Sequence, residues 1–421
     1  MYRTNNSTLK TSYYVILLFM VSLFLINPLL AIFVSLPIYS IFLPNKGSIN
    51  RKLYLIFFEI QLVFLALLLT AKDITTGTHN DIAVYLSMFS SYGDSIDSAV
   101  RIGLQYIGSF DYFFIITTYA LERIFDNPGL VLFVWVFITL SLTAYSLINF
   151  LQKEALIAYA FILSNINLFV LFGNAIRQAF SLGILALLIL LLSEESKTKD
   201  NEIKLWIAFI LGLLSHNSFI IFLPLLVFKR IVFRLNVKHL ILGLIISIPS
   251  SLLTIYFLRA IASVLPFSVR QLDYYNPTEA FSSTSFLLSL VICIFTLLFS
   301  YLIPKKNNRK LVNSTTFCIL ISIACIHFNY TRIYAYILIV TSIQFGMIPS
   351  FFSKTQQVLV KLFLLLICLV LGILFWTVWF EQFGNYHFGS SLTELLTFTL
   401  RDYIERINDY ILTALSYRTL I

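Results

Sequence analysis

Apolar residues fill this chain in blocks separated by short polar stretches. Blocks of about 17 to 25 residues are long enough to cross the hydrocarbon core of a bilayer as helix. They fall at 53–71, 129–150, 155–172, 176–192, 239–262, 284–303, 312–327, 333–348 and 358–380. Two further stretches read differently. The first, 13–43, is too long for one untilted span and is interrupted at Asn27-Pro28, which predicts a hairpin of two short helices or one kinked helix. The second, 205–228, carries Ser215, His216, Asn217 and Ser218 at its middle. Outside these blocks, 72–128 and 381–421 repeat apolar residues at helical spacing, the pattern of helices lying in a membrane interface. In the last of them Leu396, Leu400, Ile404, Ile407, Ile411 and Leu415 form a stripe opposite Arg401, Glu405 and Asp409. The pattern predicts an all-α integral membrane protein, a polytopic bundle of about 11–13 transmembrane or re-entrant helices with amphipathic helices on its outer face. The whole of 1–421 reads as one membrane domain, with 72–128 and 381–421 as its interfacial elements.

Composition agrees and narrows the class. Hydrophobic residues make up 59% and charged residues 12%, and the mean hydropathy is +0.89. A soluble domain has about 45–50% apolar and about 25% charged residues. The first apolar block has no convincing small-residue cleavage site after it and is expected to stay as an anchor, which places the chain in an inner or plasma membrane. The net charge of +9 is no argument for a nucleic acid partner, because the basic residues sit in short loops. Such loops stay cytoplasmic, so 44–52, 193–204, 229–238 and the cluster Lys305, Lys306, Arg309 and Lys310 are expected inside. With 193–204 and 229–238 on one side, 205–228 must leave and return on the same side, as a re-entrant or short helical hairpin with His216 and Asn217 at its outward tip. The regions 72–128, 263–283 and 381–421 are then outside.

Candidate chemistry is confined to a few residues. The cysteines Cys293, Cys318, Cys325 and Cys368 lie in apolar blocks without a CxxC pair and read as small core residues, so no metal site and no disulfide framework is indicated. The chain has no P-loop, HExxH, GxSxG or nucleotide-binding glycine fingerprint, which disfavours an ATP-driven pump and a membrane metalloprotease. Ionisable groups at membrane depth are costly there and are functional candidates by default. In the expected topology Arg177, His216, Arg332 and Asp81 gather on the outer side and imply a partly cationic, outward-facing cavity. Asn174, Gln178 and Ser181 share the helical face of Arg177, and Tyr336 lies one turn on from Arg332. Each has an ordinary structural alternative: snorkelling to the interface for Arg177, a headgroup-level loop for Arg332, a hydrogen-bonded turn for His216, a helix cap for Asp81.

The order TTGTHNDIAVYLSMF, FGNAIRQAFSLGILALL, LGLLSHNSFIIFLPLL and NYTRIYAYI resembles the EpsG-like branch of the Wzy-type bacterial polysaccharide polymerases over roughly residues 53–350. The family's glycine-threonine-aspartate reads here as Gly77, Thr78, His79, Asn80, Asp81, with the acid displaced by two positions. The resemblance implies a glycosyltransferase of the bacterial inner membrane that joins polyprenyl-diphosphate-linked oligosaccharide repeat units into O-antigen, capsular or exopolysaccharide at the outer face. It implies His216 or Asp81 as the base and Arg177, Arg332, Gln178, Asn174 and Tyr336 around the diphosphate. No cofactor is expected, because the donor arrives already activated. The expected partners are the lipid-linked oligosaccharide, the bilayer, a chain-length regulator and a flippase. The competing readings are a flippase or transporter for the same lipid-linked sugars, which would show two similar halves, and an O-antigen-type ligase, which shares the chemistry.

Overall fold

The computed structural model describes residues 49–71, 81–151, 155–193, 199–264, 309–326, 330–388 and 392–406, with scattered positions in 15–27 and 291–298. Almost all of 13–43 and of 284–303, the positions Gly77 to Asn80, Cys293, residues 265–283 and the stripe members Ile407, Ile411 and Leu415 lie outside the described residues. Among the described residues every regular element is helical. The all-α membrane architecture expected from the hydropathy pattern is the one found.

Helix α1 spans Ile49–Thr70, and three shorter helices follow: α2 (Asp81–Ser91), α3 (Ile96–Ile107) and α4 (Tyr112–Phe125). The long α5 (Pro128–Leu151) leads to α6 (Ala155–Ser164), α7 (Ile166–Asn174) and α8 (Ile176–Ser193). Next come α9 (Lys199–Ser215), a 3₁₀ helix (Asn217–Phe222), α10 (Leu223–Val227), α11 (Lys229–Val232) and α12 (Val237–Val264). Helices α13 (Arg309–Ala324), α14 (Tyr330–Met347), α15 (Lys354–Phe388) and α16 (Leu392–Thr397) complete the order. Among the described residues four stretches are long and apolar enough to cross a bilayer, Pro128–Asn149, Ile176–Ser193, Arg332–Phe351 and Gln356–Val378. Phe58–Thr70, Ala155–Ser164, Asn217–Val227 and Lys238–Ser251 are shorter apolar helices.

Several boundaries depart from the hydropathy reading. The block 155–172 is not one helix: it breaks at Asn165, whose side chain accepts from the Leu168 amide at 3.4 Å, and a polar side chain able to cap a new helix end explains the interruption. A second break at Ala175 separates α7 from α8. Helix α15 continues without interruption through 381–388, which the sequence assigned to the outer segment. Beyond it the segment breaks again at 398–399. Asp402 there accepts from the amide and the hydroxyl of Thr399, a capping box that starts a new helical stretch over 400–406. Among the described residues of this region Leu395 and Tyr403 are buried, whereas the predicted stripe members Leu396 and Ile404 are on the exposed side.

The chain divides into two compact units. One comprises Met1–Ser141, Leu163–Ile176 and Val358–Ile421, the other Leu142–Ile162 and Arg177–Gln357. In the first unit α1 packs on α7, and the interfacial helices α2, α3 and α4 close around Phe114. Its ring meets Tyr85, Phe89 and Trp135 at centroid distances of 5.5, 6.1 and 5.1 Å. The Tyr92 and Thr118 hydroxyls pair at 2.9 Å, and burial pushes the Tyr92 phenol up from its ordinary pKa. Gly108 ends α3 at φ 66°, a left-handed position that glycine adopts without steric cost.

Lipid is as apolar as leucine, so helices within a membrane are joined by close packing and interhelical hydrogen bonds rather than by escape from water. The second unit shows both. Gly183 of α8 lies so near α5 that a Cβ there would come within 2.9 Å of Thr143 Oγ1. Asn313 of α13 donates to the carbonyls of Val232 and Leu235 at 3.1 and 2.9 Å, and Gln344 of α14 donates to Thr315 of α13 at 3.1 Å. Helix α13 therefore carries its polar run Asn313-Ser314-Thr315-Thr316 buried among neighbours.

Candidate functional site

The site grows from a reversal of the chain at His216. Phe209 of α9 and Phe219 of the 3₁₀ helix have ring centroids 5.8 Å apart, and Lys229 Nζ reaches Glu202 Oε1 at 2.5 Å. The outgoing limb from Glu202 to Ser215 rises about 20 Å at about 1.5 Å per residue. On return, six residues of 3₁₀ helix and five of α-helix also rise about 20 Å, at about 2.0 and 1.5 Å per residue. Equal limbs bring residues 202 and 229 level, and about 20 Å falls short of a full crossing of about 30 Å. The chain thus reverses at His216, and the two limbs pack against each other. Gly212 permits it, since a Cβ there would lie 2.5 Å from the Phe219 ring.

At the turn His216 is buried and sits between two kinds of partner. Arg332 Nη1 lies 3.2 Å from its Nε2, and Ser218 Oγ lies 2.6 Å from its Nδ1. Ser218 Oγ is in turn 3.1 Å from the Tyr336 hydroxyl, which is 2.7 Å from Ser181 Oγ. Ser181 donates to the Gln178 carbonyl at 2.7 Å, and the Gln178 amide nitrogen donates to the Arg332 carbonyl at 2.6 Å. Six residues from α8, the hairpin turn and α14 therefore close a ring of hydrogen bonds. The Tyr336 ring, fully buried, is held edge-on by Phe219 and Phe222 at 6.3 and 5.0 Å.

Of the residues singled out in the sequence, the second unit brings together His216, Arg332, Gln178 and Tyr336. Arg177, on the first turn of α8, is near enough for its positive charge to act on the His216 ring together with that of Arg332. A cation in the first helical turn opposes the helix dipole, so its placement is not explained by helix stability. Trp135 donates to the Ile176 carbonyl at 3.1 Å and fixes the start of α8. Asn174 and Asp81 belong to the first unit: Asn174 is buried as the last residue of α7, and Asp81 is the exposed first residue of α2. As an acid in the first turn Asp81 suits the dipole of its own helix. Two members of the ring, Ser218 and Ser181, were not candidates from sequence in their own right, although the first belongs to the polar SHNS tip and the second to the polar face of Arg177.

Gln178 carries a further feature. Its nitrogen is committed to Arg332, while its buried Oε1 accepts no hydrogen bond from the described residues. Among the described residues no cluster of His, Cys, Asp and Glu could hold a metal ion.

The profile of the EpsG family matches residues 55–388. The chain is 28% identical over 131 residues to the EPS I polysaccharide export inner membrane protein EpsF of Ralstonia nicotianae, a stretch that covers 29% of this chain and 31% of that protein. With the protein of the same name from Ralstonia solanacearum it shares 27% over 115 residues, 26% of this chain and 28% of the relative. The chain thus spans less than a third of the length of these curated relatives. No solved structure matches it significantly.

Proposed function

The chain belongs to the EpsG family, and we propose on that premise that it is a glycosyltransferase joining polyprenyl-diphosphate-linked oligosaccharide units into an extracellular polysaccharide. It is a multi-pass inner membrane protein. The observation that carries the reading is the contact between Arg332 and His216, at 3.2 Å in a buried turn, with the charge of Arg177 reaching the same imidazole. A cationic anchor beside a proton acceptor is what transfer from a diphosphate carrier needs.

The chemistry follows from these groups. The acceptor hydroxyl oxygen attacks the anomeric carbon of the donor, and a carbon–oxygen bond forms. The bond from that carbon to the diphosphate breaks, its electron pair passing to the leaving oxygen. Arg177 and Arg332 stabilise the charge that grows there, since a guanidinium binds phosphate oxygens through parallel charge-assisted hydrogen bonds. The hydroxyl proton passes to His216 Nε2. As Arg332 already donates to that nitrogen, the diphosphate must draw Arg332 toward itself before the base can act. Gln178, with its nitrogen donating to Arg332 and its buried oxygen able only to accept, suits a substrate hydroxyl better than a phosphate. A chain-length regulator and a flippase are the natural companions of such an enzyme.

Sizing the surface glycan of cells carrying His216→Gln tests the proposal, because glutamine keeps hydrogen bonding but takes up no proton. Single repeat units at wild-type protein abundance are expected. Absence of any repeat unit at the surface points instead to a flippase, and full-length chains overturn His216 as the base.

A further inference from the structure

The hydrogen bonds around His216 have a fixed direction, set independently from both ends. At one end the Gln178 carbonyl can only accept, so Ser181 donates to it. Ser181, its single proton spent, accepts from Tyr336, and Tyr336 then accepts from Ser218. Ser218 in turn must accept, and His216 Nδ1 supplies the proton. At the other end a guanidinium has no acceptor, so Arg332 donates to Nε2, which leaves the ring proton on Nδ1. Both ends give the same tautomer. The one contrary contact is the Ser218 backbone amide, 3.3 Å from Nδ1, which is longer than the 2.6 Å hydroxyl contact and gives way to it.

We propose that Ser218, held by Tyr336 and Ser181, is a positioning residue that keeps His216 in the Nδ1–H tautomer and so presents Nε2 as the basic nitrogen to the reacting hydroxyl. This rests on the reading of His216 as the base. The serine acts as the orienting partner of the imidazole, and the tyrosine keeps the serine hydroxyl turned away from Nδ1. Once the diphosphate has drawn Arg332 away from Nε2, Ser218 alone holds the tautomer: without its hydroxyl the backbone amide of residue 218 becomes the partner of Nδ1, the ring proton moves to Nε2, and the base is lost. Without the Tyr336 hydroxyl, Ser218 turns its proton onto Nδ1 with the same result. The aromatic packing by Phe219 and Phe222 is unaffected by Tyr336→Phe, which separates the relay from the core.

The test uses the full-length protein in nanodiscs saturated with polyprenyl diphosphate, which draws Arg332 from Nε2, with ¹⁵N-histidine NMR reporting the tautomer and His216→Gln identifying its resonances. Polymerisation of purified lipid-linked repeat units gives kcat and KM. In the wild type Nδ1 is expected protonated and Nε2 bare. In Ser218→Ala and in Tyr336→Phe the tautomer should switch, and kcat should fall on the order of a hundredfold with KM nearly unchanged. Ser218→Thr, which keeps the hydroxyl, should restore both. A Ser218→Ala protein with the wild-type tautomer overturns the relay, whatever its rate. A switched tautomer with unchanged kcat leaves the relay standing but overturns His216 as the base, and the positioning role falls with it.

Discussion

Arg177 poses the sharpest question at the scale of single residues. If it grips the diphosphate, lysine cannot replace it, because an ammonium lacks the planar fork that makes two parallel bonds. Arg177→Lys should then keep the protein in the membrane at normal abundance and yet lose about 2–4 kcal/mol of transition-state stabilisation, roughly a hundredfold or more in rate. Surface chains of wild-type length in cells carrying only that substitution would show that the arginine merely snorkels, which lysine does equally well. The candidacy of Arg177, His216 and Arg332 was legible in the sequence because ionisable groups are rare in such apolar surroundings. The partnership of Ser181 and Ser218 with Tyr336 was not. Helical periodicity places residues on a face of their own helix, but which helix that face meets is set by packing, and serines are too common among membrane helices to stand out.

Secondary elements show the same division. The turn at His216 could be read because four polar residues interrupt an apolar block between two basic loops. The break at Asn165 could not, since one asparagine in an otherwise apolar block is compatible with a continuous helix until a capping bond is seen. Within the hairpin, Gly212 is where sequence and packing meet most tightly. Phe219 is fully buried and packed edge-on or tilted against Phe209, Phe222 and Tyr336, so it has little room to yield to a methyl group. Gly212→Ala should therefore cost about 1–3 kcal/mol through overpacking, read as a lower unfolding temperature in detergent, and should shorten the glycan by displacing the Tyr336 ring. Phe219→Leu in the same chain should recover part of the loss, and a Gly212→Ala protein of unchanged stability would contradict the close approach. The Glu202–Lys229 pair at the base of the hairpin contributes less. Lys229 holds the Glu202 carboxyl below its ordinary pKa, so the attraction is complete above the usual carboxylate range and fades as the pH falls through the lowered value. As the carboxyl is exposed, this is a minor force beside the packing.

For the molecule as a whole, sidedness is the property that matters, and the basic loops predict it. Single cysteines placed in 199–204 and in 229–238, on a background lacking the four native cysteines, should resist an impermeant thiol reagent added to whole cells, while cysteines in 96–107 should react. Labelling of 229–238 from outside would contradict the shared side of the two hairpin ends. Fold class and membrane residence were readable from hydropathy alone, because the bilayer demands long apolar blocks whatever the sequence between them. The division into two units was not readable, because each is assembled from stretches distant along the chain. If 205–228 enters and leaves by one face, as the basic loops predict, it adds nothing to the count of crossings, and the orientation of every later span is independent of whether those residues are there at all. Replacing them by a short flexible linker should leave a reporter fused after 237 on its original side of the membrane, even as polymerisation stops. The histidine-bearing turn is in that sense a cassette, which an evolving chain can gain, lose or exchange without turning the rest of itself inside out.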